Sequence, residues 1–93
     1  MITHVVMMKL KDRSDAAEVA RRLRALPPQI PEIQRYEVGV DELHGPRSWD
    51  VVLVSGFESF ETLETYIQHP AHQEFVAYLE QVCETRAPVD FTV

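Results

Sequence analysis

The seven residues that decide the second half of the fold read Tyr66-Ile67-Gln68-His69-Pro70-Ala71-His72. Proline cannot donate a backbone hydrogen bond, and its ring collides with the carbonyl four residues earlier. The run therefore predicts a helix that ends near Gln68, a bend, and a second helix with Pro70 at its first position, where proline is well tolerated. His72 then lies in the first turn of the second helix, where the partial positive charge favours a neutral imidazole.

Tyr66 and His72 admit two interpretations at this stage. A neutral imidazole beside a phenol is a suitable pair of general base and hydrogen-bond donor. The same residues can instead form a packed corner, with the tyrosine in the core and the His72 ring hydrogen bonded to a carbonyl that Pro70 leaves free. The sequence leaves both interpretations open.

Size and charge exclude several classes of protein. The chain has 93 residues, enough for one domain at 1–93, and a domain of this size buries only roughly 60–65% of its unfolded surface. A net charge of −6 argues against binding to nucleic acid or to an anionic membrane, because both attract lysine and arginine. One cysteine, Cys83, fits a reducing compartment. No basic segment precedes the apolar start, so we expect no signal peptide, no membrane span and a cytoplasmic protein.

Alternating side chains predict four strands on either side of this bend. The clearest is Trp49–Phe57, which is apolar on both faces. The others are Ile2–Leu10, Ile33–Asp41 and, after a proline, Val89–Val93. Gly39 weakens the second of these and predicts a bulge or a close approach of another chain segment.

Helical spacing of apolar residues predicts the remaining elements. A first helix begins at Ser14 or Asp15, with capping-box spacing from Asp15 to Glu18, and ends at Pro27-Pro28. Ser59 is suited to cap the helix that leads into the bend. The chain is thus strand, helix, strand, strand, helix, strand.

This order predicts an α+β, ferredoxin-like βαββαβ fold with two helices on one face of a four-stranded antiparallel sheet. The other sheet face has no cover, yet the first and third strands are apolar on both faces. Its backbone footprint alone is roughly 300 Å², and its accessible area would exceed what a soluble monomer usually leaves in water. We therefore expect a homodimer through the sheet face. The residues expected at that interface are Val5, Met7, Trp49, Val51 and Leu53.

Several segments together resemble the stress-responsive A/B barrel (Dabb) family over nearly the whole chain. They are 4–10, 37–39, 48–50, 57–59 and the 66–72 run followed by Phe75. The resemblance implies a dimeric α+β barrel, in agreement with the argument from the uncovered sheet face.

Within the family, the 66–72 run is most similar to the branch of the plant olivetolic acid cyclases, which close a linear polyketide by intramolecular aldol condensation. That similarity implies that His72 is the general base and that Tyr66 holds and polarises a carbonyl. It also implies that His4 and His69 line the same cavity. Asp50 stands where those cyclases have a further pocket histidine, so it is a candidate ligand-binding residue that departs from their pattern.

Three functions follow from these observations. The first is a homodimeric Dabb protein, linked by resemblance to stress response, that binds a small apolar ligand between sheet and helices. The second is a cofactor-free cyclase or lyase for a polyketide-like substrate, with His72 as base. The third is a haem-dependent monooxygenase of related architecture, although no residue is placed as a proximal ligand. A metal site is not expected, since His69 and His72 supply only two of the three protein ligands that a catalytic zinc requires.

Overall fold

The computed structural model describes residues 1–93 and contains four strands and three helices. The strands are β1 (Ile2–Leu10), β2 (Arg35–Val40), β3 (Val51–Phe57) and β4 (Cys83–Thr92). The helices are α1 (Ala16–Arg24), α2 (Phe60–Gln68) and α3 (Pro70–Val82), and short 3-10 turns occupy Arg13–Asp15 and Pro27–Gln29. None of the helices is both long and apolar enough to span a bilayer.

The strands form one antiparallel sheet in the order β2-β3-β1-β4. The helices supply buried residues from one side only, and these pack with the inward residues of the sheet into a single core. This arrangement is the predicted ferredoxin-like fold, so the prediction of fold class is confirmed.

The bend between α2 and α3 forms where the sequence predicts it. α2 ends at Gln68, His69 adopts an extended backbone, and Pro70 is the first residue of α3. The His69 ring accepts a hydrogen bond from the Ala71 amide at 3.0 Å and so caps α3. At the other end of α2, Ser59 and Thr62 form a reciprocal capping box.

The start of the first helix differs from the prediction. Asp12 is the residue that caps, because its carboxylate accepts the Ser14 amide at 2.9 Å and opens a 3-10 turn ahead of α1. Asp15 is already helical in backbone and caps nothing with its side chain. Glu18 pairs with two arginines of its own helix instead of reaching back, so the predicted capping box from Asp15 to Glu18 is wrong.

In β1, Val5 and Met7 lie on the uncovered sheet face as predicted. In β3, the face predicted to be uncovered is the one that packs against the helices. Val51 and Leu53 are 3% and 2% exposed and belong to the core beneath the helices. Cross-strand pairing places Val52 opposite Met7 and Val54 opposite Val5 on the uncovered face. Val51 and Leu53 are therefore wrong as interface residues. Alternation groups the residues of a strand into two faces, but when both are apolar it does not say which one the helices cover.

Trp49 precedes β3 and lies half-buried beside the uncovered sheet face. It lines a shallow depression of about 230 Å³ together with Met7 and Val52. This leaves Val5, Met7 and Trp49 as the predicted interface residues that the structure places at the uncovered face.

Three strands have different lengths from those predicted, and one of them, β3, begins at Val51 rather than at Trp49. β2 is shorter, and its pairing to β3 runs without a bulge. Gly39 makes a close approach, because a Cβ built there would lie 3.2 Å from Val52 Cγ1. β4 is longer and begins at Cys83 directly after α3. Pro88 is thus inside β4 rather than before it, and the sheet tolerates it because β4 is an edge strand.

Asp50 fastens the end of β1 to the start of β3. It is 6% exposed, and its carboxylate accepts the Leu10 amide at 2.8 Å. The Arg13 guanidinium lies 3.4 Å from the other carboxylate oxygen. A buried amide that loses its acceptor keeps the full cost of desolvation.

We expect Asp50→Ala to lower the free energy of unfolding by about 1–3 kcal/mol, because it leaves the Leu10 amide without an acceptor. Asp50→Asn keeps an oxygen in place and should lose less. The midpoint of urea denaturation measures both variants. An alanine variant as stable as the wild type would show that the hydrogen bond does not matter to the fold.

Candidate functional site

A cavity of about 340 Å³ lies between the sheet and the helices, and we call it the helix–sheet cavity. Nine of its fourteen lining residues are hydrophobic, from Val6 and Met8 on β1 to Phe75 and Leu79 on α3. The polar ones are His4, Tyr66, His72, Arg86 and Asp90. A concave apolar site with a few convergent polar groups is typical of small-molecule binding.

His72 enters this cavity from the first turns of α3, in an orientation set by the bend. Its Nδ1 lies 3.0 Å from the carbonyl oxygen of Ile67. A carbonyl only accepts, so Nδ1 carries the proton and Nε2 of the neutral ring is left as an acceptor. Burial lowers the pKa of His72 below its ordinary value, and the hydrogen bond to Ile67 opposes this only in part. The ring is therefore held neutral near pH 7.

Tyr66 lies beside His72 on the other arm of the bend. The two ring centroids are 4.4 Å apart, and Tyr66 is 1% exposed. Its hydroxyl is 3.0 Å from that of Tyr36 on β2, and either oxygen can donate. Burial raises the pKa of Tyr66 to about 12 and that of Tyr36 further still, so both phenols keep their protons. The pair supplies a hydrogen-bond donor, not a base.

His4 lies on the inward face of β1 and has a charged partner. Its Nδ1 contacts a carboxylate oxygen of Asp90, which stands directly opposite on β4. The ring of His4 also meets Tyr66 edge-on, with the centroids 6.2 Å apart. A polar ring on an otherwise apolar strand face needs a hydrogen-bond partner. The partner in the structure is Asp90.

The structure brings His4, Tyr66 and His72 together but places two other predicted site residues elsewhere. The ring of His69 caps α3 and does not line the helix–sheet cavity. Asp50 holds the Leu10 amide near the uncovered sheet face. Both residues have structural hydrogen bonds that account for them where they stand.

Sequence reasoning missed Arg86 and Asp90, which line the cavity from β4. The predicted last strand begins at Val89, so it leaves Arg86 outside and includes Asp90 without assigning it a role. Arg86, Pro88 and Asp90 alternate along the chain, and this period of two would have placed them on one face.

No group of three or more His, Cys, Asp or Glu side chains is arranged to hold a metal ion. The other histidine, His44, lies in the loop between β2 and β3 and pairs with Asp41. Cys83 is hydrogen bonded to the carbonyls of Lys9 and Thr85, and burial raises the pKa of its thiol.

Comparison with known proteins assigns the chain to a family. The model of the stress responsive A/B barrel domain (Dabb) matches residues 2–93. The chain belongs to the Dabb family. An uncharacterised protein of Streptomyces coelicolor is 33% identical over 82 residues, which span 83% of this chain and 84% of that protein.

Solved structures agree with this assignment. A dimeric ferredoxin-like protein from Bacteroides fragilis is 28% identical, with a TM-score of 0.89 over 99% of this chain and 95% of that one. The hydroxynitrile lyase of Passiflora edulis has a TM-score of 0.83 at 19% identity, over 99% of this Dabb chain and 92% of the lyase. The second likeness is one of fold.

The lowered pKa of His72 predicts how stability depends on pH. Unfolding returns the ring to its ordinary pKa of 6.5, so the unfolded chain binds more protons between the two values. The contribution of the neutral ring is complete above about pH 6.5 and is lost as the pH falls through the folded-state pKa. His72→Asn keeps a donor for the Ile67 carbonyl but cannot titrate.

We therefore expect the free energy of unfolding of the wild type to fall more steeply than that of His72→Asn between about pH 8 and pH 5. Urea denaturation at several pH values measures this difference, and subtraction cancels the other titrating groups. Parallel curves for the two proteins would mean that burial does not perturb His72.

Proposed function

We propose that the helix–sheet cavity binds a small, mainly apolar molecule that contains a carbonyl group, and that His72 removes a proton from the carbon beside it. The observation that carries this proposal is the bond from His72 Nδ1 to the Ile67 carbonyl, within an apolar cavity. A base is effective when its unprotonated nitrogen is oriented towards the substrate and its pKa lies near the working pH.

The other side chains suit the same reaction. The electron pair of the broken C–H bond moves to the carbonyl oxygen and forms an enolate, while the proton moves to Nε2 of His72. Tyr66 is a protonated donor beside that ring and is suited to hold the enolate oxygen. The enolate carbon then attacks a second carbonyl of the same molecule, and the proton returns to the new alkoxide. The reaction class is a cofactor-independent aldol cyclisation or, in reverse, a lyase.

Exchange of a carbon-bound proton tests the base directly, without knowledge of the natural substrate. Benzoylacetone is an apolar diketone with acidic methylene protons. We expect the wild type to accelerate their exchange in D₂O above the buffer rate, and His72→Asn to lower this acceleration by at least about a hundredfold, the usual contribution of general base catalysis.

The matched control is His69→Asn, which makes the same substitution three residues away. Asparagine is a favourable helix cap, so this variant should keep α3 and the exchange rate. Equal rates for His72→Asn and the wild type, with both proteins folded, would contradict a base at this position.

We also propose that a second copy of the chain covers the uncovered sheet face. Val5, Met7, Val52 and Val54 share that face at the centre of the sheet. On β4, Val89 and Phe91 stand opposite Val5 and Thr3 and are 59% and 45% exposed. Such an apolar surface is larger than a monomer usually leaves in water, and the relative from Bacteroides fragilis is described as dimeric.

Light scattering of the purified protein tests this assembly. The expected mass is twice the 10.7 kDa of the chain. Val52→Arg puts a charge at the centre of the uncovered sheet face, where a second copy would bury it. This variant should yield monomers, because an unpaired buried charge is costly. Leu43→Arg, at a loop residue that is 82% exposed, is the control and should stay dimeric. A wild type of single-chain mass would contradict the proposal.

A further inference from the structure

Arg86 is the one side chain of the helix–sheet cavity that is always positively charged. It lies opposite Met8 in the register of β4 on β1, so its side chain shares the inward face with the apolar lining. Its guanidinium makes no hydrogen bond. The one carboxylate within reach is that of Glu80, at 3.9 Å and on an exposed side chain. The Arg86 side chain is 39% exposed, so the cation lies where the cavity opens to solvent, with its guanidinium donors available to a ligand.

The acid that could neutralise Arg86 from within the cavity is engaged elsewhere. Asp90 contacts His4. Arg86 and Asp90 lie four residues apart on one strand, which separates their backbones by roughly 13 Å. Between them, Pro88 stands opposite Val6 and supplies apolar wall. The cavity thus has a cation towards one end, an apolar middle and the His4–Asp90 pair towards the other end. The Tyr66 ring packs against both His4 and His72.

We propose that the ligand of this cavity is an apolar acid, whose carboxylate binds the guanidinium of Arg86. This inference rests on the proposed function and specifies its substrate class: the carboxylate at Arg86 positions the apolar body along Val6 and Pro88 and directs the reacting carbonyl to His72. A guanidinium binds a carboxylate through two parallel hydrogen bonds, which gives orientation as well as affinity.

Two charges oppose this binding, and neither prevents it. Glu80 competes for Arg86, but at 3.9 Å the pair is too long for a hydrogen bond, and exposed ion pairs contribute little. The net charge of −6 repels an anion at long range, and salt screens this repulsion beyond roughly 10 Å. The local cation is therefore the group that selects an acid.

Octanoate and octanamide are suitable probes, because they have the same length and differ in charge. We expect calorimetric titration of the wild type at about pH 8 to show octanoate binding at least about tenfold more tightly than octanamide, as a charge-assisted hydrogen bond predicts. Arg86→Gln should remove this preference and leave the affinity for octanamide little changed. Arg86→Lys should keep part of it, since the charge remains and the fork is lost.

Arg47→Gln is the matched control, since it removes the same charge from an exposed loop residue outside the cavity and should keep the full preference. Equal affinity of the wild type for the two probes, or a preference that survives in Arg86→Gln, would overturn the role of Arg86 and leave the cavity as a ligand site. If neither probe binds, the ligand-binding function itself fails, and the role of Arg86 fails with it.

Discussion

The hydrogen bond from His72 to the carbonyl of Ile67 is the interaction on which the site depends. Pro70 has no amide proton, and the Ala71 amide is taken by His69, so the α2 carbonyls lose their helical donors at this point. The Tyr66 carbonyl accepts a hydrogen bond from the His69 amide, and the Ile67 carbonyl accepts from the His72 ring and from the Gln73 side chain. The His72 bond thus helps to satisfy the backbone at the bend and also fixes the tautomer of an imidazole in the cavity.

The two interpretations of His72, as a structural residue and as a general base, are therefore compatible. The ring that closes the corner is held by Nδ1, and an imidazole held in this way presents its other nitrogen as an acceptor. Burial then keeps the ring neutral. The bond that holds His72 at the bend is thus the one that would preorganise the ring for the proton transfer proposed above.

The predictable part of the molecule is the part set by local chemistry. Helix breaking by Pro70, capping by Ser59 and alternation in Ile2–Leu10 each depend on a few neighbouring residues, and the structure agrees with all three. The inward face of Val51–Phe57 was not predictable in this way, because both faces are apolar and the helices that choose between them are distant in sequence. The start of the last strand was predicted too late for a related reason. Proline is excluded from central strands but not from an edge strand such as the one that contains Pro88, and strand order is not a local property.

The candidate site follows the same division. Tyr66 and His72 are close in sequence and were paired from their spacing, whereas Asp90 reaches His4 across eighty-six positions. His69 is equally close in sequence, but its ring caps α3 by accepting the Ala71 amide and therefore does not line the cavity. Sequence proximity was therefore a correct guide for Tyr66 and His72, which lie on the two sides of one helical bend. It was not a guide to the other contacts of the site.

The alternation of β4 separates two kinds of evolutionary change. Positions 86, 88 and 90 line the cavity, and 87, 89 and 91 stand on the opposite surface of the same strand. Under the proposals made above, mutation of the first set would change which ligand is bound and would leave the second set, on the face proposed for the dimer, unaltered. Substitutions on the inward side of this strand would then change ligand preference without changing the proposed dimer interface, both in evolution and in protein engineering.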